Sequence, residues 1–170
     1  MNQAELLQAV ADRQAITELL YRYCRAVDRI DAPLGHSIWH AGGVADYGDF
    51  YRGAGRGVID LICEQHRNTL CHSHQMSNVI IKLNGDQAGS ESYVTANLRI
   101  MQGEKLRQLT VWSRYVDSWS KRAGCWGLDR RIAIRDFDEI RDVTPLSELA
   151  TQGVRDRSDL SYQVIAGLTS

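Results

Sequence analysis

The sequence predicts an α+β protein, with helices first and an antiparallel sheet after them. Three observations carry this. Apolar residues recur at helical spacing in the first part of the chain. From His72 onward the pattern changes to alternation with a period of two. Short turn signals, Asn84-Gly85-Asp86, Gly103 and Arg122-Ala123-Gly124, separate the alternating runs.

Taken in order, Leu6, Val10, Ile16, Leu19, Leu20, Tyr23 and Val27 fall at helical spacing with charges between them, which predicts a helix over 4–27. No Gly or Pro interrupts it, and Pro33 and Gly35 set its end between Asp28 and Asp31. A second, short helix is expected over 34–41. The stretch GGVADYGDFYRGAGRG then reads as a glycine-rich, aromatic loop, and a further helix is expected over 58–67. Four strands follow: HSHQMSNVIIKL, AGSESYVTANLRIM, RQLTVWSRYVDSWSK and CWGLDRRIAIRDFDEI. Residues 1–142 form one domain. Residues 143–170 are polar and weakly patterned, and read as a C-terminal arm or tail that packs on a partner subunit.

Composition narrows the function classes. Lys and Arg number 20 against 21 Asp and Glu, a net charge of −1, which argues against a nucleic-acid partner. No run approaches the ~20 apolar residues of a membrane span. The opening MNQAELLQAVADRQ lacks the basic and apolar regions of a secretory signal. Cys24, Cys63, Cys71 and Cys125 are scattered without a C-x-x-C pair, which suits free thiols in a reducing cytoplasm better than structural zinc.

Several residues carry chemistry. His72, His74 and Asn78 share one strand parity, so they face one way on a regular strand. His-x-His can hold a metal, but QMSNVII supplies neither the Glu nor the later His that such a site adds, and no metal is predicted. His36 and His40, four apart without an acidic H-E-x-x-H partner, read as a surface or packing pair. Asp28 ends an apolar helix face. It is either a helix-end carboxylate in water or a group at the core entrance that needs a partner. A histidine suits, because a carboxylate on one imidazole nitrogen fixes the tautomer and leaves the other as a base. On the last strand Trp126, Leu128, Ile132, Ile134 and Ile140 share one parity, and Asp129, Arg131, Ala133, Arg135 and Phe137 the other. Periodicity alone turns the arginine face to water.

Four segments resemble one family. Tyr23-Cys24-Arg25-Ala26-Val27-Asp28 is similar to the end of its first helix, and Asp46-Tyr47-Gly48-Asp49-Phe50-Tyr51-Arg52-Gly53 to a loop before its third. His72-Ser73-His74-Gln75-Met76-Ser77-Asn78 resembles its first long strand, and Trp126-Gly127-Leu128-Asp129-Arg130-Arg131 its last. The family is the SnoaL-like group of the nuclear transport factor two-like superfamily, which includes scytalone dehydratase, bile acid 7α-dehydratase and hexachlorocyclohexane dehydrochlorinase. The resemblance covers residues 8–142 and rests on the order of the segments.

The resemblance implies a cone-shaped barrel of a curved antiparallel or mixed sheet wrapped around N-terminal helices. It implies an Asp28–His74 dyad, Tyr23 as general acid, and Arg131 and Arg135 in the pocket rather than in water. The expected reaction is a dehydratase-type β-elimination without metal or organic cofactor, on a small hydrophobic molecule, aromatic or polycyclic. Trp39, Tyr47, Phe50, Tyr51, Tyr93 and Trp112 are candidates for the pocket wall, with His72 and Asn78 as further substrate contacts. The expected assembly is a homodimer or homotrimer in the cytoplasm. Three readings stay beside the lyase: a ketosteroid-type isomerase, a carbon–carbon lyase, and a non-catalytic ligand-binding or partner-subunit cone.

Overall fold

A computed structural model describes residues 2–145 and 153–166. The first helix, α1 (Gln3–Asp28), starts at a capping box: the Asn2 side chain accepts the Glu5 N–H and the Glu5 carboxylate accepts the Asn2 N–H, both at 2.9 Å. Ile16, Leu20, Tyr23 and Val27 line its inner face and are fully buried. The helix ends where predicted, by a Schellman-type closure. Ile30 takes a positive φ of 52°, and the Asp31 N–H bonds back to Ala26 O at 2.8 Å.

Asp31 then caps α2 (Ala32–His36). Here the structure departs from the sequence reading. The helix expected over 34–41 stops at His36, and the expected loop contains β1 (Trp39–Asp46) and β2 (Arg52–Ala54). The reason is tertiary: β1 lies parallel to the last strand, a partner that local periodicity does not reveal. Gly43 permits the approach, since a Cβ there would stand 2.8 Å from Leu128 O. The third helix, α3 (Gly55–Arg67), begins three residues earlier than predicted. Gly55 lies flat on the Trp39 ring, where a Cβ would sit 2.0 Å from the ring edge.

The remaining strands are β3 (Cys71–Asn84), β4 (Gln87–Gln102), β5 (Lys105–Arg122) and β6 (Cys125–Asp142), joined by turns at Gly85, Gly103 and Ala123-Gly124 that use positive φ. The six strands make one curved mixed sheet in the order β2-β1-β6-β5-β4-β3, with β1–β6 the parallel pair. The sheet is α+β in class as expected, and it stays open, with β2 and β3 as its edges. Helices α1 and α3 fill its concave side. Ile16, Leu20, Val27, Val58, Ile59, Trp119 and Leu128 form the centre of the core.

One irregularity decides the fate of the arginines. Trp119 pairs with Leu128 and Ser118 with Arg130, so Asp129 is an extra residue in β6. Parity flips across it. Leu128 and Arg131 therefore both face inward and both are fully buried, and Ile132 and Ile134 turn outward. The prediction of one apolar face from Trp126 to Ile140 fails for this reason, and because Asp136 is a second extra residue, between Ser113–Arg135 and Trp112–Phe137, which returns Phe137 to the outer face.

The described part of the C-terminal arm folds back on its own chain. Arg157 and the Tyr162 hydroxyl both bond to Asp31, and Arg25 donates to Ser161; Ser161 and Tyr162 lie in α4 (Leu160–Ala166). The rest of the arm lies outside the described residues. Among these, no helix is long and apolar enough to cross a membrane. The four cysteines are free, Cys24 and Cys63 buried, Cys71 and Cys125 exposed.

Candidate active site

A cavity of about 690 Å³ lies between the concave sheet and the ends of α1 and α3. Its walls are apolar: Phe50, Ile62, Val94, Ala96, Leu98, Leu109, Val111 and Ala133. Polar groups cluster at its sides, which is the composition of a small-molecule site.

The last residue of α1 meets the second inward residue of β3 here. Asp28 Oδ1 lies 2.7 Å from His74 Nδ1, and both its oxygens lie 3.0 Å from the His74 backbone N–H. Both side chains are nearly covered, at 7% exposure for His74 and 15% for Asp28. A carboxylate accepts, so His74 carries its proton on Nδ1, and no described residue bonds to Nε2.

Two further histidines pack beside it. His66 lies 5.2 Å from His74 and 4.1 Å from His72, centroid to centroid. His66 Nδ1 and His72 Nε2 both donate to the Val27 carbonyl, at 3.2 and 3.1 Å. Burial first, then the neighbouring His72 and His74, bring the His66 imidazole down to about 4, so it is neutral near pH 7. Burial also lowers His72, against the pull of Asp28.

Opposite the histidines stand three tyrosines. The Tyr23 hydroxyl lies 3.1 Å from that of Tyr47 and 3.2 Å from that of Tyr115. Three hydroxyl protons serve two contacts, so one donor stays available to a ligand oxygen. Burial first, then the neighbouring phenols (Tyr115 and Tyr47 for Tyr23, Tyr47 for Tyr115), lifts Tyr23 and Tyr115 far above the ordinary phenol range, which keeps them as neutral donors. Arg131 lies behind them, its guanidinium 4.5 Å from the Tyr23 ring and 4.0 Å from the Tyr115 ring. Asp117 binds it in a bidentate pair at 2.8 and 2.7 Å, with both side chains fully buried. Burial works against the Arg131 charge, and the Asp117 carboxylate outweighs it. Arg131 thus supports the tyrosines and does not line the cavity.

Of the other residues proposed from sequence, Tyr47 and Phe50 line the cavity, and Arg135 stands at its rim, 3.1 Å from Asp138. Six do not line it. Trp39 is in the core against Gly55, and Tyr51 caps Ala54 O over Gly53 and Gly57. His72 points inward, but both its nitrogens are engaged, by Val27 O and Thr69 Oγ1. Asn78 takes a positive φ of 48° in the bulge between Ser77 and Ile80 and is exposed. Tyr93 and Trp112 have the parity opposite to Val94 and Val111. They therefore lie on the outer sheet face, where Trp112 stacks on Phe137 at 4.7 Å.

Sequence reasoning missed His66, Thr69, Tyr115 and Asp117. Their signals were present. Ile59, Ile62, Cys63 and His66 follow helical spacing, so the buried stripe of α3 runs into His66. Leu109, Val111, Ser113, Tyr115 and Asp117 share one strand parity. Among the described residues no group of three or more His, Cys, Asp or Glu is placed to hold a metal ion.

The profile of the SnoaL-like domain matches residues 8–132. No curated protein matches in sequence. Solved structures share the fold at low identity. A candidate scytalone dehydratase from Novosphingobium aromaticivorans superposes with a TM-score of 0.68 at 18% identity, over 83% of this chain and 97% of that one. A type 3 hexachlorocyclohexane dehydrochlorinase from Novosphingobium barchaimii gives 0.71 at 16% identity, over 85% and 99%. A Mycobacterium tuberculosis protein of unknown function gives 0.64 at 17% identity, over 98% and 90%.

Proposed function

The chain belongs to the SnoaL-like domain family, and on that footing we propose that it is a cofactor-independent lyase that removes water from a small hydrophobic substrate. The observation that carries this reading is the hydrogen bond between Asp28 and His74 Nδ1, which leaves Nε2 unengaged on a residue that lines an apolar cavity. Asp28 sets the tautomer and steadies the imidazolium; His74 Nε2 takes a proton from carbon. A placed histidine base contributes on the order of 10²–10⁴-fold. The electron pair of the C–H bond forms the new C=C bond as the C–O bond on the neighbouring carbon breaks. The departing oxygen takes a proton from the tyrosine trio, and the proton on His74 replaces it through water, so the sum is loss of one water. The trio and Arg131 provide fixed dipoles and charge where negative charge grows. A cavity of about 690 Å³ with aliphatic and aromatic walls suits an aromatic or polycyclic body. The solved structures with dehydratase and dehydrochlorinase names support a lyase at this level.

The experiment is a screen of hydroxylated aromatic and steroid substrates, followed by conjugated-alkene absorbance and product mass. Loss of one water from any of them supports the reading, and inertness of the whole panel counts against it. The tyrosine trio favours one second reading, a ketosteroid-type isomerase, because the same donors would hold an enolate oxygen. Unchanged product mass with a shifted double bond would select it.

The assembly belongs to the same proposal. The outer sheet face exposes Tyr93 at 42% and Phe137 at 60%, an apolar surface that a second or third copy would cover.

A further inference from the structure

Among the described residues, the C-terminal arm reaches the cavity wall at Arg155. Arg155 Nη1, with two N–H bonds, stands within reach of three oxygens of the turn between α3 and β3: His66 O at 2.8 Å, Thr69 O at 2.7 Å and, longest, Thr69 Oγ1 at 3.1 Å. Thr69 Oγ1 itself stands 2.8 Å from His66 O and 2.9 Å from His72 Nδ1. A hydroxyl has one proton, so it serves only one of these two acceptors.

The rest of the network decides which. The Val27 carbonyl only accepts, so His72 Nε2 carries a proton. His72 is half-buried beside His66, His74 and Asp28, with Arg155 nearby, and this desolvation keeps it neutral. Its Nδ1 is therefore bare and needs a donor, which is the Thr69 hydroxyl. The His66 carbonyl has two lone pairs: one takes the Thr69 backbone N–H at 3.1 Å, and Arg155 fills the other at 2.8 Å, which leaves none for the Thr69 hydroxyl.

We propose that Arg155 is a positioning residue for the cavity: by filling the His66 carbonyl it releases the Thr69 hydroxyl to His72, fixes His72 as the Nε2–H tautomer, and so holds the Val27 carbonyl between two imidazole donors. Val27 directly precedes Asp28, and only this link to the Asp28–His74 pair rests on the lyase reading. Without Arg155 the Thr69 proton returns to His66 O. The bare Nδ1 of His72 then faces an oxygen lone pair, and the ring moves its proton from Nε2 to Nδ1. That breaks the bond to Val27 and loosens the end of α1 under the dyad.

The test needs no substrate, so failure of the lyase reading leaves it intact. Histidine-labelled (¹⁵N) protein is studied near neutral pH by two-bond proton–nitrogen correlation, with rings assigned by single histidine substitutions. The parent is expected to show His72 with a protonated Nε2 and a bare Nδ1, and His66 with the reverse. Arg155→Met is expected to lose the single His72 tautomer, and Arg155→Lys to recover it in part. Arg157→Met, which removes one of the arm's two holds on Asp31 and leaves that of Tyr162, without touching Thr69, is expected to keep the parent pattern. A parent-like His72 in Arg155→Met overturns the proposal, even if that variant melts earlier. The same loss in Arg157→Met also overturns it, since general docking of the arm would then explain the effect.

Discussion

Removing the titration of His66 should flatten the acid limb of stability. His66 is 6% exposed and its imidazole lies at about 4, against an ordinary 6.5. Between those values the unfolded chain binds a proton that the folded chain refuses. Unfolding is therefore favoured as pH falls from 6.5 toward 4, and the contribution of His66 is fully present only above 6.5. Each pH unit inside that window is worth about 1.4 kcal/mol, so the loss across it is on the order of 3 kcal/mol. Half-buried His72 adds to it in the same direction. Carboxylates held low by partners, such as Asp12 with Lys121 and Trp126, or Asp31 with Arg157 and Tyr162, act at lower pH. They lose their contribution as pH falls through their depressed values. The variant is His66→Asn, whose amide can still donate to Val27 O. Urea unfolding from pH 7.5 down to about 4.5 should show the parent losing roughly 2–3 kcal/mol more than the variant. Parallel curves, within about 0.5 kcal/mol, would refute the buried neutral state assigned to His66.

Other consequences follow from the same geometry. Tyr115→Phe removes one of three shared hydroxyls and should lower kcat by about 10²-fold with little change in KM, measured on any substrate the screen yields. Asp117→Asn leaves the Arg131 guanidinium buried without its counter-charge and should cost about 3–5 kcal/mol by urea unfolding, whereas the paired change Asp117→Leu with Arg131→Met should recover most of it. Light scattering should give at least twice the chain mass of 19.2 kDa, and Phe137→Glu on the outer face should shift it to the single-chain value. A clean monomer for the parent would remove the assembly proposal.

Much of the fold was legible in the sequence because its signals are local. The 26-residue α1 has an uninterrupted helical period, and the hairpins at Gly85, Gly103 and Gly124 have glycines where positive φ is required. What escaped depends on distant partners. Residues 39–46 become a strand because β6 offers them a ladder, although their glycines argue for a loop. The bulge at Asp129 turns Arg131 inward, and no period-two reading anticipates an extra residue. The same limit governs the site. Asp28 and His74 are 46 residues apart, so their meeting followed from family resemblance and not from pattern. Trp39, Tyr51, Tyr93 and Trp112 offer only their aromatic character as a reason to line a pocket. For Tyr93 and Trp112 the parity of the neighbouring cavity residues already pointed the other way. Parity equally pointed to Tyr115 and Asp117, and the α3 stripe to His66.

The dyad offers the most direct test. In Asp28→Asn the remaining side-chain oxygen can still accept the His74 backbone N–H, so the fold should hold while the imidazole loses its charge partner and its tautomer. Turnover of a confirmed substrate should fall severely in that variant. In His74→Ala it should fall by on the order of 10²–10⁴-fold or more. Circular dichroism should match the parent in both. Turnover at the parental rate in the two variants would contradict the proposed mechanism and leave a ligand-binding cone in its place.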